Sequence, residues 1–162
     1  MNKSIIFFLP FLILFFTSCS QKTTALNHFE SNPQSAYLIQ YTKKRDILYK
    51  NDFKSMFFAT YLNKSYKKFK DDNKESFIVG IHIVNKENHD LIENAYKLKI
   101  NNIEIKKLQK LDRDSDLIKK IPLKNPWANY YLVTVKSNKD VYKLNLTLSH
   151  ATFGQVQLSF DK

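Results

Sequence analysis

Glycine is almost missing from this 162-residue chain: there are two, Gly80 and Gly154. That scarcity removes the glycine-rich loops that cradle phosphates in dinucleotide- and nucleotide-binding folds, and no G-x-S-x-G is present to form a nucleophile elbow. Cysteine is rarer still. Cys19 stands alone, so no disulfide within the chain can support the fold and no second thiol is available for a metal site. The four histidines, His28, His82, His89 and His150, have no H-x-x-x-H or similar spacing, which gives no linear zinc signature. His82 lies in an apolar stretch, where a hydrogen-bonded core histidine is the expected role. Long runs of one charge are absent too, although 26 Lys and Arg stand against 15 Asp and Glu, a net charge of +11. Scattered lysines of this kind read as a solvated surface more than as a polyanion-binding tract.

What is present begins at the N-terminus. Lys3 supplies a positive start, Ile5 to Phe16 form an apolar run interrupted by Pro10, and Thr17-Ser18 lead into Cys19. The run is shorter than the roughly 20 residues a spanning helix needs, and Ser20-Gln21-Lys22-Thr23-Thr24 after it is polar; this is the layout of a secretory signal. The junction Phe16-Thr17-Ser18-Cys19 resembles the lipobox of bacterial lipoproteins. That resemblance implies cleavage before Cys19, which then carries a thioether-linked diacylglycerol and an N-acyl chain. An uncleaved anchor and ordinary cleavage between Ser18 and Gln21 are the competing readings. Two or more acyl chains are enough for stable membrane anchoring. Residues 1–18 are thus expected to be a signal peptide and 19–32 a polar tether, leaving one domain over 33–162.

Without residues 1–18, 144 residues and a charge of +10 remain after loss of Lys3. A chain of that length buries roughly two-thirds of its unfolded surface. It has the aromatic material to do so, with thirteen Phe, nine Tyr and one Trp, of which only five Phe precede Cys19. Asn32-Pro33 predicts a helix start and a short helix over 33–42 that places Tyr37, Leu38 and Tyr41 on one side; a strand over Ala36–Tyr41 competes. Asp46–Tyr49 and Phe53–Leu62 read as two strands around a Lys50-Asn51-Asp52 turn, with a buried helix as the alternative for Met56–Leu62. Asn63–Lys74 is polar and reads as a loop.

Ser76–Val84 is β-branched and apolar on both faces, the pattern of a central strand. Tyr96, Leu98 and Ile100 alternate with polar residues before an Asn101-Asn102 turn and Ile103-Glu104-Ile105. Lys106–Lys120 predicts an exposed connection with one helical turn. Asn129–Lys136 carries Tyr131, Val133 and Val135 on one face, a turn is expected over Ser137–Asp140, and Tyr142–Leu148 and Val156–Phe160 repeat the period-two pattern. Two antiparallel sheets packed face to face satisfy these segments. The strand number, about seven, and the short turns over 43–162 resemble an immunoglobulin-like β-sandwich.

Candidate site residues are few. Asp112, Asp114 and Asp116 have the first, third and fifth positions of a calcium loop of the EF-hand type, but Leu117 and Leu123 occupy the positions that need Gly and Glu. No metal and no cofactor are therefore expected. Trp127 and Tyr131 are expected in the core with Tyr130 pointing outward, the alternative being an aromatic binding surface of all three. Lys106, Lys107, Lys110, Lys119 and Lys120 are the best candidates for an electrostatic patch. Cys19 is the single expected modification site. The expected function is non-covalent binding, without catalysis, by a lipid-anchored protein of the bacterial envelope, with membrane lipid and a protein or acidic envelope component as partners. Outer-membrane placement is implied by Ser20 after Cys19, and nucleic acid is not an expected partner. A small periplasmic enzyme and a purely structural envelope protein are the alternatives.

Overall fold

The computed structural model describes residues 33–162. Cys19, His28 and the segments expected to be signal peptide and tether lie outside them. Pro33 opens helix α1, Pro33–Ile39, as a residue without an N–H can. The helix ends three residues short of the expected boundary. Tyr41 N–H and the Thr42 hydroxyl both donate to the Leu38 carbonyl at 3.0 and 2.9 Å, closing the last turn and sending the chain into a strand. Leu38 is buried, while Tyr37 is half exposed with its ring 5.4 Å from that of Tyr41.

Nine strands follow, two more than expected: β1 Thr42–Tyr49, β2 Asp52–Tyr61, β3 Lys74–Ile83, β4 Tyr96–Ile100, β5 Ile103–Glu104, β6 Gln109–Leu111, β7 Asn129–Lys136, β8 Lys143–His150 and β9 Gly154–Asp161. A helical turn α2, Asp116–Lys120, lies between β6 and β7, and Lys67–Phe69 makes a 3-10 turn between β2 and β3. The β1–β2 and β4–β5 hairpin turns are each made by a pair of residues with positive φ, Lys50 (52°) with Asn51 (68°) and Asn101 (47°) with Asn102 (68°). Two-residue loops of that geometry match the right-handed twist of the flanking strands.

The strands form two antiparallel sheets, one ordered β1-β2-β3-β7-β6 and the other β5-β4-β8-β9. β7 and β8 do not pair across Ser137–Asp140, so that segment is a crossing between sheets and not a hairpin turn. The main core lies between the sheets. Phe57, Phe77, Val79, Tyr131 and Val133 of the first sheet belong to one buried cluster with Leu98, Leu146, Leu158 and Phe160 of the second. Phe77 stacks on Tyr61 at 5.0 Å and meets Phe160 at 5.4 Å. Each such side chain contributes roughly 1.5–3 kcal/mol on burial.

The outer face of the five-stranded sheet is also covered. Phe58, Leu62, Ile78 and Tyr130 form a second cluster with Ile118, Ile121 and Ala128 of the α2–β7 segment. Gly80 makes this possible. It pairs with both Phe58 and Tyr130, and a Cβ there would lie 2.1 Å from Phe58 Cζ, so its bare backbone is the floor on which the Phe58 ring rests, 5.7 Å from the Tyr130 ring.

Candidate functional site

Burial of that outer face stops short of the β1–β2 hairpin, and there a histidine pair sits beside an exposed tryptophan. His82 occupies the outer face of β3 opposite Met56, because the pleat sends Ile81 and Ile83 into the core and His82 the other way. Asn85, with φ 58°, reverses the chain, and His89 returns to accept the Ile83 N–H at Nδ1 over 3.1 Å. The His82 and His89 rings are 4.6 Å apart, and the Trp127 ring is 6.4 Å from His82. With Asn85, Lys86 and Glu87 they line a cleft of about 430 Å³.

Trp127 is set in place by Asn125. The Asn125 Oδ1 accepts the Trp127 N–H at 2.9 Å, while the Asn125 N–H and carbonyl bond the Tyr130 hydroxyl at 2.8 and 3.0 Å. Trp127 is 64% exposed. Its expected place in the core is therefore overturned: Pro126-Trp127 precedes the strand, so it does not share the alternation that puts Tyr131 inside. Tyr130 points to the sheet's outer face, as expected, but it is not exposed there, because the α2–β7 segment buries it. Tyr131 is in the core as expected and is tied to the 84–95 loop, its hydroxyl donating to Asp90 Oδ2 at 3.0 Å and accepting the Leu91 N–H at 3.1 Å.

The chemistry of the histidine pair follows from its hydrogen bonds. A neutral His89 that accepts at Nδ1 carries its proton on Nε2, so it offers the cleft a donor and not a metal-binding lone pair. Burial, and then the nearby His82, hold its pKa below the usual histidine value. His82 Nδ1 is buried with no hydrogen-bond partner among the described residues. No group of three or more His, Cys, Asp or Glu side chains stands close enough to hold a metal ion among the described residues.

A second polar cluster lies at the opposite end of β3. The Glu75 side chain, 5% exposed, meets Lys162 Nζ at 2.8 Å, accepts the Ser137 hydroxyl at Oε1 over 2.6 Å and the Tyr61 hydroxyl at Oε2 over 2.5 Å. Burial acts to raise the Glu75 pKa, but the Lys162 ammonium and the two hydroxyls outweigh it and hold the carboxyl below its ordinary value. Tyr61 is pushed upward by its burial and by the neighbouring carboxylate. Lys162 also donates to the Asn138 carbonyl at 2.7 Å. Each carboxylate oxygen already has its donors, so the cluster ties β2, β3 and the start of the β7–β8 crossing to Lys162, just past β9.

The remaining expected residues are dispersed. Asp112 Oδ1 accepts the Asp114 N–H at 2.9 Å in a turn and Asp116 starts α2. The five lysines are exposed but fall on three elements: Lys106 and Lys107 in the β5–β6 connection, Lys110 on β6, Lys119 and Lys120 at the end of α2. His150 stacks on Phe153 at 4.2 Å and accepts the Thr152 and Phe153 N–H groups at Nδ1 over 3.1 and 3.3 Å, closing the β8–β9 turn. The His82–His89 pairing had no linear signal beyond Asn85, since a spacing of seven residues becomes contact only when that turn folds back. No family model, no curated protein and no solved structure matches the chain.

Proposed function

We propose that this chain is a lipid-anchored protein of the bacterial cell envelope, held by acyl chains on Cys19, that acts by non-covalent binding of a protein or another envelope component and not by catalysis. The lipobox residues Phe16-Thr17-Ser18-Cys19 and the polar stretch before Pro33 support the anchor and its tether. Ser20 supports outer-membrane placement by analogy with lipoprotein sorting.

The binding reading rests on Trp127, an exposed aromatic side chain fixed by the Asn125 turn. On the same outer face, Leu48 and Phe53 pair with each other and are both exposed, and Met56 pairs with His82. Aromatic side chains, tryptophan above all, are among the groups that dominate binding energy, and the apolar residues around them exclude water. The sheet order supports the immunoglobulin-like reading. With β2 to β9 renamed A, B, C, C′, D, E, F and G, the layers run A-B-E-D and C′-C-F-G, the order of that fold, with β1 added outside A.

The test is cross-linking and capture from intact cells. Trp127→Ala should lose most of the captured partner while melting at the wild-type temperature, because little of its side chain is buried. Cys19→Ala should leave the domain folded and release it from the membrane fraction, and wild type should incorporate labelled palmitate. Retained membrane association of Cys19→Ala, or capture indifferent to Trp127→Ala, would overturn the respective half of the proposal.

The cleft also favours a second reading, a small periplasmic enzyme, since a partly buried imidazole with a lowered pKa, as His89 has, is a group found at acid–base sites. Among the described residues neither imidazole is hydrogen-bonded to a carboxylate or hydroxyl that would orient it, which weighs for binding. Hydrolysis of ester, amide or phosphate substrates that is abolished by His82→Ala would reverse that preference.

A further inference from the structure

On one side of the sandwich the two sheets are left without a closing strand. β6 covers only the Tyr130–Leu132 portion of β7, and β5 is two residues long, so the Val133–Lys136 half of β7 faces no strand of its own sheet on that edge. A cleft of about 470 Å³ opens there. Its walls are Ile100 and Leu144 from the four-stranded sheet, Val135 from β7, Val141 from the crossing segment and Ile103 at the lip. Ile103 pairs with the buried Ile100 and so lies on the core-facing side of β5, yet it is 71% exposed because nothing stands opposite.

The rim has a single polarity. Asn101 Oδ1 accepts the Asn145 N–H at 2.8 Å and Asn138 Oδ1 accepts the Asp140 N–H at 3.0 Å, so both amides are oriented, and among the described residues neither NH₂ group has an acceptor. Lys136 leaves β7 on the face opposite Val135 but lines the same mouth at the open edge of the strand; it is exposed and makes no ion pair among the described residues. Three donors and an apolar interior call for a ligand with an acceptor-only head and one apolar chain. A peptide fits less well. The backbone around the mouth is already bonded, Asn101 N–H to Asn145 O, Val141 N–H to Asn138 O and Ser137 N–H to Asn73 O. The open edge of β7 is four residues, below the commonest strand length of about five to six.

We propose that this seam between the sheets binds one long-chain fatty carboxylate, its chain continuing the core against Ile100, Val135 and Leu144 and its head bonded by Lys136, Asn101 and Asn138. The volume falls in the range of small-molecule sites, about 300–1,000 Å³, which are mostly apolar with a few oriented polar groups. This goes beyond the proposed function, because the seam shares no residue with the Trp127 cleft.

The experiment uses the full-length protein in phosphatidylcholine vesicles, irradiated with a diazirine-bearing palmitate and mapped by peptide mass spectrometry. Label should concentrate on residues 100–103 and 135–144, and palmitate should compete for it far better than hexadecanol. Ile103→Glu, which sets a carboxylate at the lip on a side chain that is already in water, should abolish the labelling. Lys136→Ala should weaken palmitate competition about tenfold, the change expected for one lost charge-assisted hydrogen bond. Label spread evenly over the surface, hexadecanol competing equally, or labelling unchanged in Ile103→Glu would each overturn the proposal. So would a photoreactive residue at position 103 that captures a protein and no lipid.

Discussion

Single atoms decide several features of this molecule, and Gly80 is the clearest. Any side chain there meets the Phe58 ring, whose Cζ would be 2.1 Å from a new Cβ. The ring is held from its other side by Tyr130, so it cannot swing clear. Gly80→Ala should therefore destabilise the fold by at least about 1–3 kcal/mol, the usual cost of overpacking, measured by urea denaturation. His89 and His150 are both held below the ordinary histidine value, burial being the first cause in each. The unfolded chain takes up those protons near pH about 6.5, before the folded chain does. Stability should thus be complete above that pH and fall as the pH drops through the folded-state values. Urea midpoints should be lower at pH 5 than at pH 7.5, with a smaller difference in His89→Gln. Glu75, whose pKa is also lowered, loses its contribution only at more acid pH, below the unfolded carboxylate value of about 4.3, so the two effects separate along the pH axis.

Elements were legible in the sequence to the degree that burial imprinted itself on them. β8 alternates Leu144, Leu146 and Leu148 with polar residues because one face meets the core, and β3 is apolar on both faces because it has a core on each. β6 left no such trace: Gln109-Lys110-Leu111 is an edge joined mainly through its backbone, and it reads as part of a charged connection. The first half of β1, Thr-Lys-Lys-Arg, is hidden for the same reason, with only Ile47 buried in the whole strand. Trp127 misled because an aromatic residue beside a strand looks like core until the Asn125 turn is known. The β1–β2 turn leaves room for improvement, since Lys50 holds φ 52° without the side-chain compensation that Asn provides. Lys50→Asn should stabilise by about 0.5–1 kcal/mol, read as a raised melting temperature. The Glu75 node should respond asymmetrically. Lys162→Ala leaves a carboxylate buried without its counter-charge, whereas Glu75→Gln leaves an ammonium that is partly solvated, 17% exposed against 5%. Partial exposure of Lys162 reduces the cost from that of a fully buried pair to about 1–3 kcal/mol for Lys162→Ala, with Glu75→Gln costing less.

At the scale of the whole molecule, two apolar layers share one sheet, and they are not equal. The layer between the sheets includes strands from both and closes along β1 and β9, where the Lys43 ammonium donates to the Ser159 carbonyl and lies 5.4 Å from the Phe160 ring. The outer layer is covered by irregular chain: mainly residues 112–128, pinned by Ile118, Ile121 and Ala128, with Tyr66 and Phe69 of the β2–β3 connection packed against it. The 112–128 segment also carries Asn125 and Trp127, so the proposed binding surface sits on irregular chain outside the two sheets, where local opening costs less than in the strands. Ile121→Ala removes a fully buried side chain from the outer layer only. It should cost about 2–5 kcal/mol if the segment unfolds with the rest, and less if it opens by itself. Hydrogen exchange separates the two cases. Amides of Asp116–Lys120 and Trp127 should exchange faster in the variant while those of β3, β4 and β8 keep their protection, and partner capture should fall as is expected for Trp127→Ala. Equal acceleration across both sheets would mean that the outer layer is an integral part of one cooperative unit and that the surface around Trp127 is as rigid as the sandwich beneath it.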